Sequence, residues 1–351
     1  MSTIEANPEV DNGPVPRKND HEVTAARNAQ VGDLAVRRLL PLRTRRSVGP
    51  WCFIDHYGPK DIDGRAGMNV PPHPHIGLQT VTWLLQGNVL HRDSLGSEQL
   101  IRPGQLNLMT SGRGIAHAEE SVTQGRDHDT VLHGVQLWVA LPDASRHVAP
   151  GFEHHSSLPQ TPLPQTPLPQ TAPPQTALSQ TGLARTAPAQ TAAAQTAGGQ
   201  FAVTVFIGEF AGERSPATAF SPIVGAELTA PDRHAAGALP LSPDFEHVIF
   251  VATGQAEADG VPLVPGQLLY LPTGLETVPI AARSGTTLFL LGGRPLGERL
   301  LMWWNFVART PEEIALARAD WATGEFGAVG GYQGEPLPAP PLDVARLVRP
   351  H

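Results

Sequence analysis

The chain has 351 residues and a formal net charge of −8. That length suits two domains, and the acidic balance excludes the broad basic surface that general binding to nucleic acid or acidic membranes requires. A lone cysteine, Cys52, excludes an internal disulfide, while 35 glycines and 36 prolines favour short strands between turns over long helices.

Residues 1–33 open polar and acidic, without periodicity, and read as a disordered arm. Their N-terminus lacks the charged-then-apolar layout of a signal peptide, and no apolar run approaches the roughly 20 residues that cross a bilayer, so a cytoplasmic protein without membrane attachment is expected. Residues 34–150 alternate short β-prone runs with turns. Thr80–Leu85 closes on Gly87-Asn88, and Gly134–Val139 closes on Pro142-Asp143. Such spacing predicts a sandwich or barrel.

An internal repeat follows. From Thr161 to Gln200 the chain runs through pentapeptides of the type TPLPQ, and Ser156–Gln160 resembles a degenerate copy. A five-residue period matches neither helix nor strand, and the tract holds no aromatic residue with which to build a core. Residues 151–200 therefore read as a flexible linker of local polyproline-II character at a tolerant inter-domain position. From 201 to 299 the β pattern resumes, with Phe201–Ile207, His247–Val251, Gln267–Leu271 and Thr286–Leu291 as strands of a second barrel. In the last segment, 300–351, Thr310-Pro311-Glu312-Glu313 is a capping box with proline at the first helical position. It predicts a helix through Ile314 and Ala317 that stops before Gly324, with a further short helix near Val344 and Leu347.

Two short pairs carry the candidate chemistry. His73 and His75 stand two apart in a β-rich region, so on a strand both imidazoles face one side. His117 and Glu119 repeat that spacing 42 residues after His75. Three imidazoles and a carboxylate from two neighbouring strands suit Fe(II), Ni(II), Cu(II), Mn(II) or Zn(II), and such a set favours a catalytic centre over a structural zinc site. One His-x-His pair arises easily by chance among 14 histidines; two pairs in one β domain do so far less readily. His91 reads as a hydrogen-bonded barrel residue ahead of a role beside the metal. His56 reads as a structural residue of a turn or mouth, and His133, His154 and His155 as surface or ordinary strand residues. His247 lacks a second pair, so no metal is expected in the second barrel. Cys52, inside Trp51-Cys52-Phe53-Ile54, reads as a buried thiol. Gly112-Arg113-Gly114 lacks the third glycine of a dinucleotide loop, and no Gly-x-Ser-x-Gly elbow is present.

Taken in order, Pro71-Pro72-His73-Pro74-His75, Thr80-Val81-Thr82, His91–Gly96, Met109–Ile115 and His117–Glu119 resemble the metal domain of the pirin family. Val48–His56, Gln136–Val139 and Gly292–Leu296 add to the resemblance, which spans about 34–150 and 201–330. It implies an all-β bicupin: two cupin (jelly-roll) barrels, a short C-terminal helix, and one metal ion, usually iron, held in the N-terminal barrel by His73, His75, His117 and Glu119. It implies either a quercetin 2,3-dioxygenase-like enzyme acting on a small aromatic substrate with O2, with Glu119 also serving as general base, or a non-catalytic iron-dependent regulator that binds a transcription factor or metabolic enzyme. A monomer is expected. After His75 the commonest family version carries Arg, Gly, Phe and Glu, where this chain has Ile76, Gly77, Leu78 and Gln79. That exchange predicts a more apolar site mouth and is the motive for the regulatory alternative.

Overall fold

The computed structural model describes residues 22–31, 34–62, 67–122, 130–163, 199–230 and 234–343. The first half supplies β1 (Glu22–Ala25), β2 (Arg27–Val31), β3 (Leu34–Leu40), β4 (Trp51–Asp61), β5 (Asn69–His75), β6 (Leu78–Gln86), β7 (Val89–Asp93), β8 (Glu98–Ile101), β9 (Leu106–Thr110), β10 (Ile115–Ser121), β11 (Val131–Ala140) and β12 (Gly151–His155). Seven of these form an antiparallel sheet in the order β12-β9-β6-β11-β4-β3-β2, faced by a four-stranded sheet in the order β5-β10-β7-β8.

The second half contributes β13 (Gln160–Pro162), β14 (Ala202–Phe210), β15 (Glu213–Arg214), β16 (Ile223–Ala230), β17 (Ala235–Pro240), β18 (Glu246–Thr253), β19 (Ala256–Ala258), β20 (Val261–Leu263), β21 (Gln267–Leu271), β22 (Thr277–Ala282) and β23 (Thr286–Gly293). It repeats the plan, with a large sheet in the order β1-β21-β18-β23-β16-β14-β13 (β15 hangs off β14) and a small one in the order β17-β22-β19-β20. Each half is thus a cupin built as two facing sheets, and neither closes into a continuous hydrogen-bonded barrel. A hairpin, β24 (Leu301–Trp303) and β25 (Phe306–Ala308), and helix α1 (Pro311–Thr323) complete the chain.

The two large sheets pack on one another. Val81, Trp83, Val135 and Leu137 from the first meet Phe206, Val248, Phe250 and Phe289 from the second in one shared core. Strand β6 is therefore covered on both faces, and its run of seven buried residues lacks the polar alternation of a half-exposed strand. Trp83 Nε1 donates across this junction to Glu227 Oε2 at 2.6 Å, and Trp51 Nε1 to the Gly292 carbonyl at 3.0 Å.

Two expectations about boundaries need correction. Residues 22–31 are not part of a disordered arm. β2 pairs with β3, and β1 crosses to the other half, where Val23 stands opposite Leu269 on β21. The edges of both large sheets present unpaired backbone groups that a short, polar strand satisfies, and composition alone cannot register this. Residues 1–21 lie outside the described residues. Nor is 151–200 an inter-domain linker throughout: β12 pairs with β9 of the first cupin, and β13 pairs with β14 of the second. With Pro162 opposite Ala202, and Leu163 N–H donating to the Phe201 carbonyl at 2.9 Å, the repeat interrupts a hairpin of the second cupin. Its residues 164–198 lie outside the described residues.

Helix α1 has the expected ends. Thr310 Oγ1 accepts the Glu313 N–H at 3.3 Å, Glu313 accepts the Arg309 N–H at 2.8 Å, and Gly324 closes the helix at φ 80°. The expected helix near Val344 lies outside the described residues. Among the described residues, no helix is long and apolar enough to cross a membrane.

Candidate metal centre

The site lies inside the first cupin, on the inner face of the small sheet. On the β5–β10 ladder, His73 stands opposite His117, and the next pairing is Val70 with Glu119. Pro71 and Pro72 thus face a single residue, Ala118, in a bulge. Proline lacks the N–H a regular ladder needs, so the sequence itself breaks the register here. On the other flank of β10, His117 stands opposite Asp93 and Glu119 opposite His91 on β7.

His73, His75, His117 and Glu119 are all buried. The three imidazoles converge, with one ring nitrogen of each within 4.8 Å of the others. Glu119 belongs to an adjoining close group with His91 and His117, and is not part of the His73–His75 cluster. Its Oε1 accepts the Thr82 hydroxyl at 2.9 Å.

Hydrogen bonds set the tautomers of two of the rings. His73 Nδ1 lies 2.9 Å from the Pro71 carbonyl and His75 Nδ1 lies 3.0 Å from the Asn305 carbonyl. A carbonyl only accepts, so each Nδ1 carries the proton and each Nε2 keeps its lone pair. His75 Nε2 and His117 Nε2 are 3.1 Å apart. Burial pushes the His73 imidazole down to about 4, and His75 and His117 well below their ordinary value. All three rings are neutral at pH 7, the form that ligates a metal. The free Nε2 atoms of His73 and His75 and the neutral His117 ring beside them form a nitrogen donor set that fits a transition-metal ion. Burial also raises the Glu119 carboxyl, opposed by His91, Thr82 and Gln136.

His91 is hydrogen-bonded within the cupin, as expected, and it also stands beside His117 and Glu119. It is buried, its Nδ1 lies 3.4 Å from His117 Nδ1, its Nε2 lies 3.2 Å from Asp93 Oδ2, and its ring stacks on Phe152 at 4.4 Å. The available signal was His91-Arg92-Asp93, a third pair at strand spacing. His56 and His133 pair with one another, Nε2 to Nε2 at 2.8 Å, on β4 and β11. Cys52 is buried, and burial pushes its thiol up to about 12, which suits a packed side chain and not a nucleophile.

The residues after His75 do not reshape the mouth as expected. Strand alternation turns Thr80 and Thr82 inward and Gln79 outward, where its Nε2 donates to Thr110 Oγ1 at 3.0 Å and to the Thr218 carbonyl of the second cupin at 3.1 Å. Ile76 packs against the C-terminal aromatic cluster and bridges to Phe306.

Comparisons with known proteins agree with this geometry. Residues 33–139 match the Pirin family profile and 228–327 match that of the Pirin C-terminal cupin domain. A Pseudomonas aeruginosa protein named "Putative quercetin 2,3-dioxygenase" is 39 % identical over 332 residues, covering 93 % of both chains. A pirin-like protein of Caulobacter vibrioides is 34 % identical across 90 % of this chain and 97 % of its own. The crystal structure of a quercetin 2,3-dioxygenase from Acinetobacter baumannii superposes with a TM-score of 0.78 at 36 % identity, covering 92 % of this chain and 96 % of that one. Similarity of this extent in sequence and fold, over both cupins and the helix that follows them, means that the chain belongs to the pirin family.

Proposed function

We propose that the protein is a quercetinase-type dioxygenase that acts on a flavonol or related small aromatic with O2, as a cytoplasmic monomer. One observation carries the reading. Three buried neutral imidazoles converge beside a buried carboxylate, and the Nδ1 atoms of two of them are committed to backbone carbonyls. His73, His75, His117 and Glu119 would hold one transition-metal ion, taken as Fe(II). When bound, that ion supplies Lewis acidity and one-electron chemistry for a flavonol and O2.

The protein's own residues supply the rest. Burial makes Glu119 a stronger proton acceptor than an exposed glutamate, which suits it to take the proton of the substrate's enolic hydroxyl. Thr82 holds Oε1 of that carboxylate, and Phe152 packs His91 against the same corner. The apolar surroundings of the rings, including Trp138 at 5.1 Å from His75, exclude water from the reacting atoms. The regulatory alternative drew on Ile76 and Gln79, and both side chains lie away from the imidazole cluster, so the enzymatic reading stands first.

Anaerobic reconstitution with Fe(II), followed by O2 uptake with quercetin, tests the proposal. Uptake well above that of a His75→Ala variant is the expected result, and equal rates would remove quercetin as a substrate.

A further inference from the structure

The second cupin has an aliphatic interior. Leu239 on β17, Ala256 and Ala258 on β19, and Val278, Ile280 and Ala282 on β22 fill the inner face of its small sheet, where the first cupin carries its imidazoles. A buried imidazole departs from this pattern. His247 on β18 is buried, and its Nδ1 has no hydrogen-bond partner. A buried polar atom left unpaired costs stability. The fold even makes room for the ring, since a Cβ at Gly292 would overlap it.

His247 lines a cavity of about 760 Å3, within the usual size range of small-molecule sites. Phe210, Ile223, Leu241 and Phe245 form apolar walls, and the Phe245 ring lies 5.9 Å from the imidazole. The charged residues of the lining, Glu209 and Arg214, neutralise each other through a 2.6 Å ion pair. Such a lining offers no net charge to an ion, two aromatic faces to a ring, and an imidazole nitrogen without a partner, beside Ser221 and Ser242.

We propose that this cavity is a second ligand site, separate from the metal centre, for a neutral phenol whose ring lies against Phe210 and Phe245 and whose hydroxyl hydrogen-bonds the His247 imidazole. The hydroxyl donates its hydrogen to the unpaired Nδ1, a bond that an ether oxygen cannot make. Burial holds His247 down to about 4, so the imidazole is neutral at pH 7 and matches an uncharged partner.

The probe is 2-naphthol, neutral at pH 7 and fluorescent, titrated into the full-length protein against 2-methoxynaphthalene, which lacks the donor hydrogen. Saturable binding is expected, with the methoxy compound about tenfold weaker, as loss of one hydrogen bond predicts. His247→Phe should bring 2-naphthol to that weaker level, and His247→Gln should restore part of the difference. Ala219→Trp, on the cavity's exposed rim, should block binding even if the His247 variants fold poorly. His75→Ala, in the metal centre, should leave binding unchanged. Absence of saturation, equal binding of both compounds, indifference to Ala219→Trp, or loss of binding in His75→Ala would each overturn the proposal. The last outcome would assign the phenol to the metal centre and leave that site's own reading intact.

Discussion

His75 Nδ1 donates to the carbonyl oxygen of Asn305, 230 residues further along the chain, at 3.0 Å. The β24–β25 turn that presents this carbonyl is anchored on the strand pair it serves. Val307 N–H donates to the Ile76 carbonyl at 3.1 Å, and a Cβ at Gly77 (φ 70°) would overlap the Val307 carbonyl oxygen. Gly77→Ala therefore pushes the hairpin away from His75. The expected outcome is folded protein with metal affinity lowered about 10- to 100-fold, the usual cost of losing such a partner, read by Fe(II) titration beside the parent.

Glu119→Gln keeps the shape of the side chain and removes its basicity. We expect quercetin-dependent O2 uptake to fall by about 100-fold or more, while the three imidazoles retain some metal. Thr82→Val frees one carboxylate oxygen and should give a smaller loss of the same kind. Metal analysis beside steady-state rates checks both, and an active Glu119→Gln enzyme would refute the proton-acceptor role.

Gln79→Glu restores the residue common in the family. Here it would set a carboxylate against the Thr218 carbonyl and forfeit the Nε2 donor. The expected result is a loss of stability of about 1–3 kcal/mol with unchanged metal stoichiometry, measured by urea denaturation and metal analysis. A change in metal content with stability intact would return this position to the site mouth.

Acid should destabilise the metal-free protein over a defined window. Burial holds His56 down to about 3 and His133 and His247 to about 4, against about 6.5 in the unfolded chain. Below that ordinary value the unfolded chain binds protons that the folded chain refuses, so stability falls as pH drops from 6.5 and levels off near 3–4. The slope is at most about 1.4 kcal/mol per pH unit for each proton. Urea midpoints at pH 7, 6 and 5 in the presence of chelator should decline, and less steeply in His56→Gln; identical slopes would remove His56 from the account.

Because the repeat interrupts a hairpin between Leu163 and Gly199, replacing 164–198 with a four-residue turn should leave both cupins and the activity intact. Shortening the loop roughly eightfold should raise stability by up to about 2 kcal/mol through reduced closure entropy. A shift in the thermal midpoint reads this, and a collapse of stability or activity would show that the tract contributes structure.

The four ligand candidates were legible because strand spacing is a local property: His73/His75 and His117/Glu119 announce a shared face within three residues each. The helix was legible for the same reason, since Thr310, Glu313 and Gly324 act within a turn of their positions. What escaped was pairing at a distance. Nothing local in Glu22–Ala25 identifies Gln267–Leu271 as its partner, and Gln160–Pro162 shares the composition of the tract that follows it while belonging to a sheet. The Gln79 expectation failed by one step of strand parity, because sequence proximity to His75 does not carry across the turn at Gly77 that separates β5 from β6. His91 was visible as a residue, but its neighbours His117 and Phe152 come from other strands.

The return of the β24–β25 turn to the first cupin has a consequence for synthesis on the ribosome. The imidazoles are made early, yet the group that orients His75 is made only after the last strand of the second cupin, Thr286–Gly293. A nascent chain stalled before Asn305 would hold the strands of His73, His75 and His117 without the carbonyl that fixes the His75 ring, so that constraint belongs to the finished polypeptide.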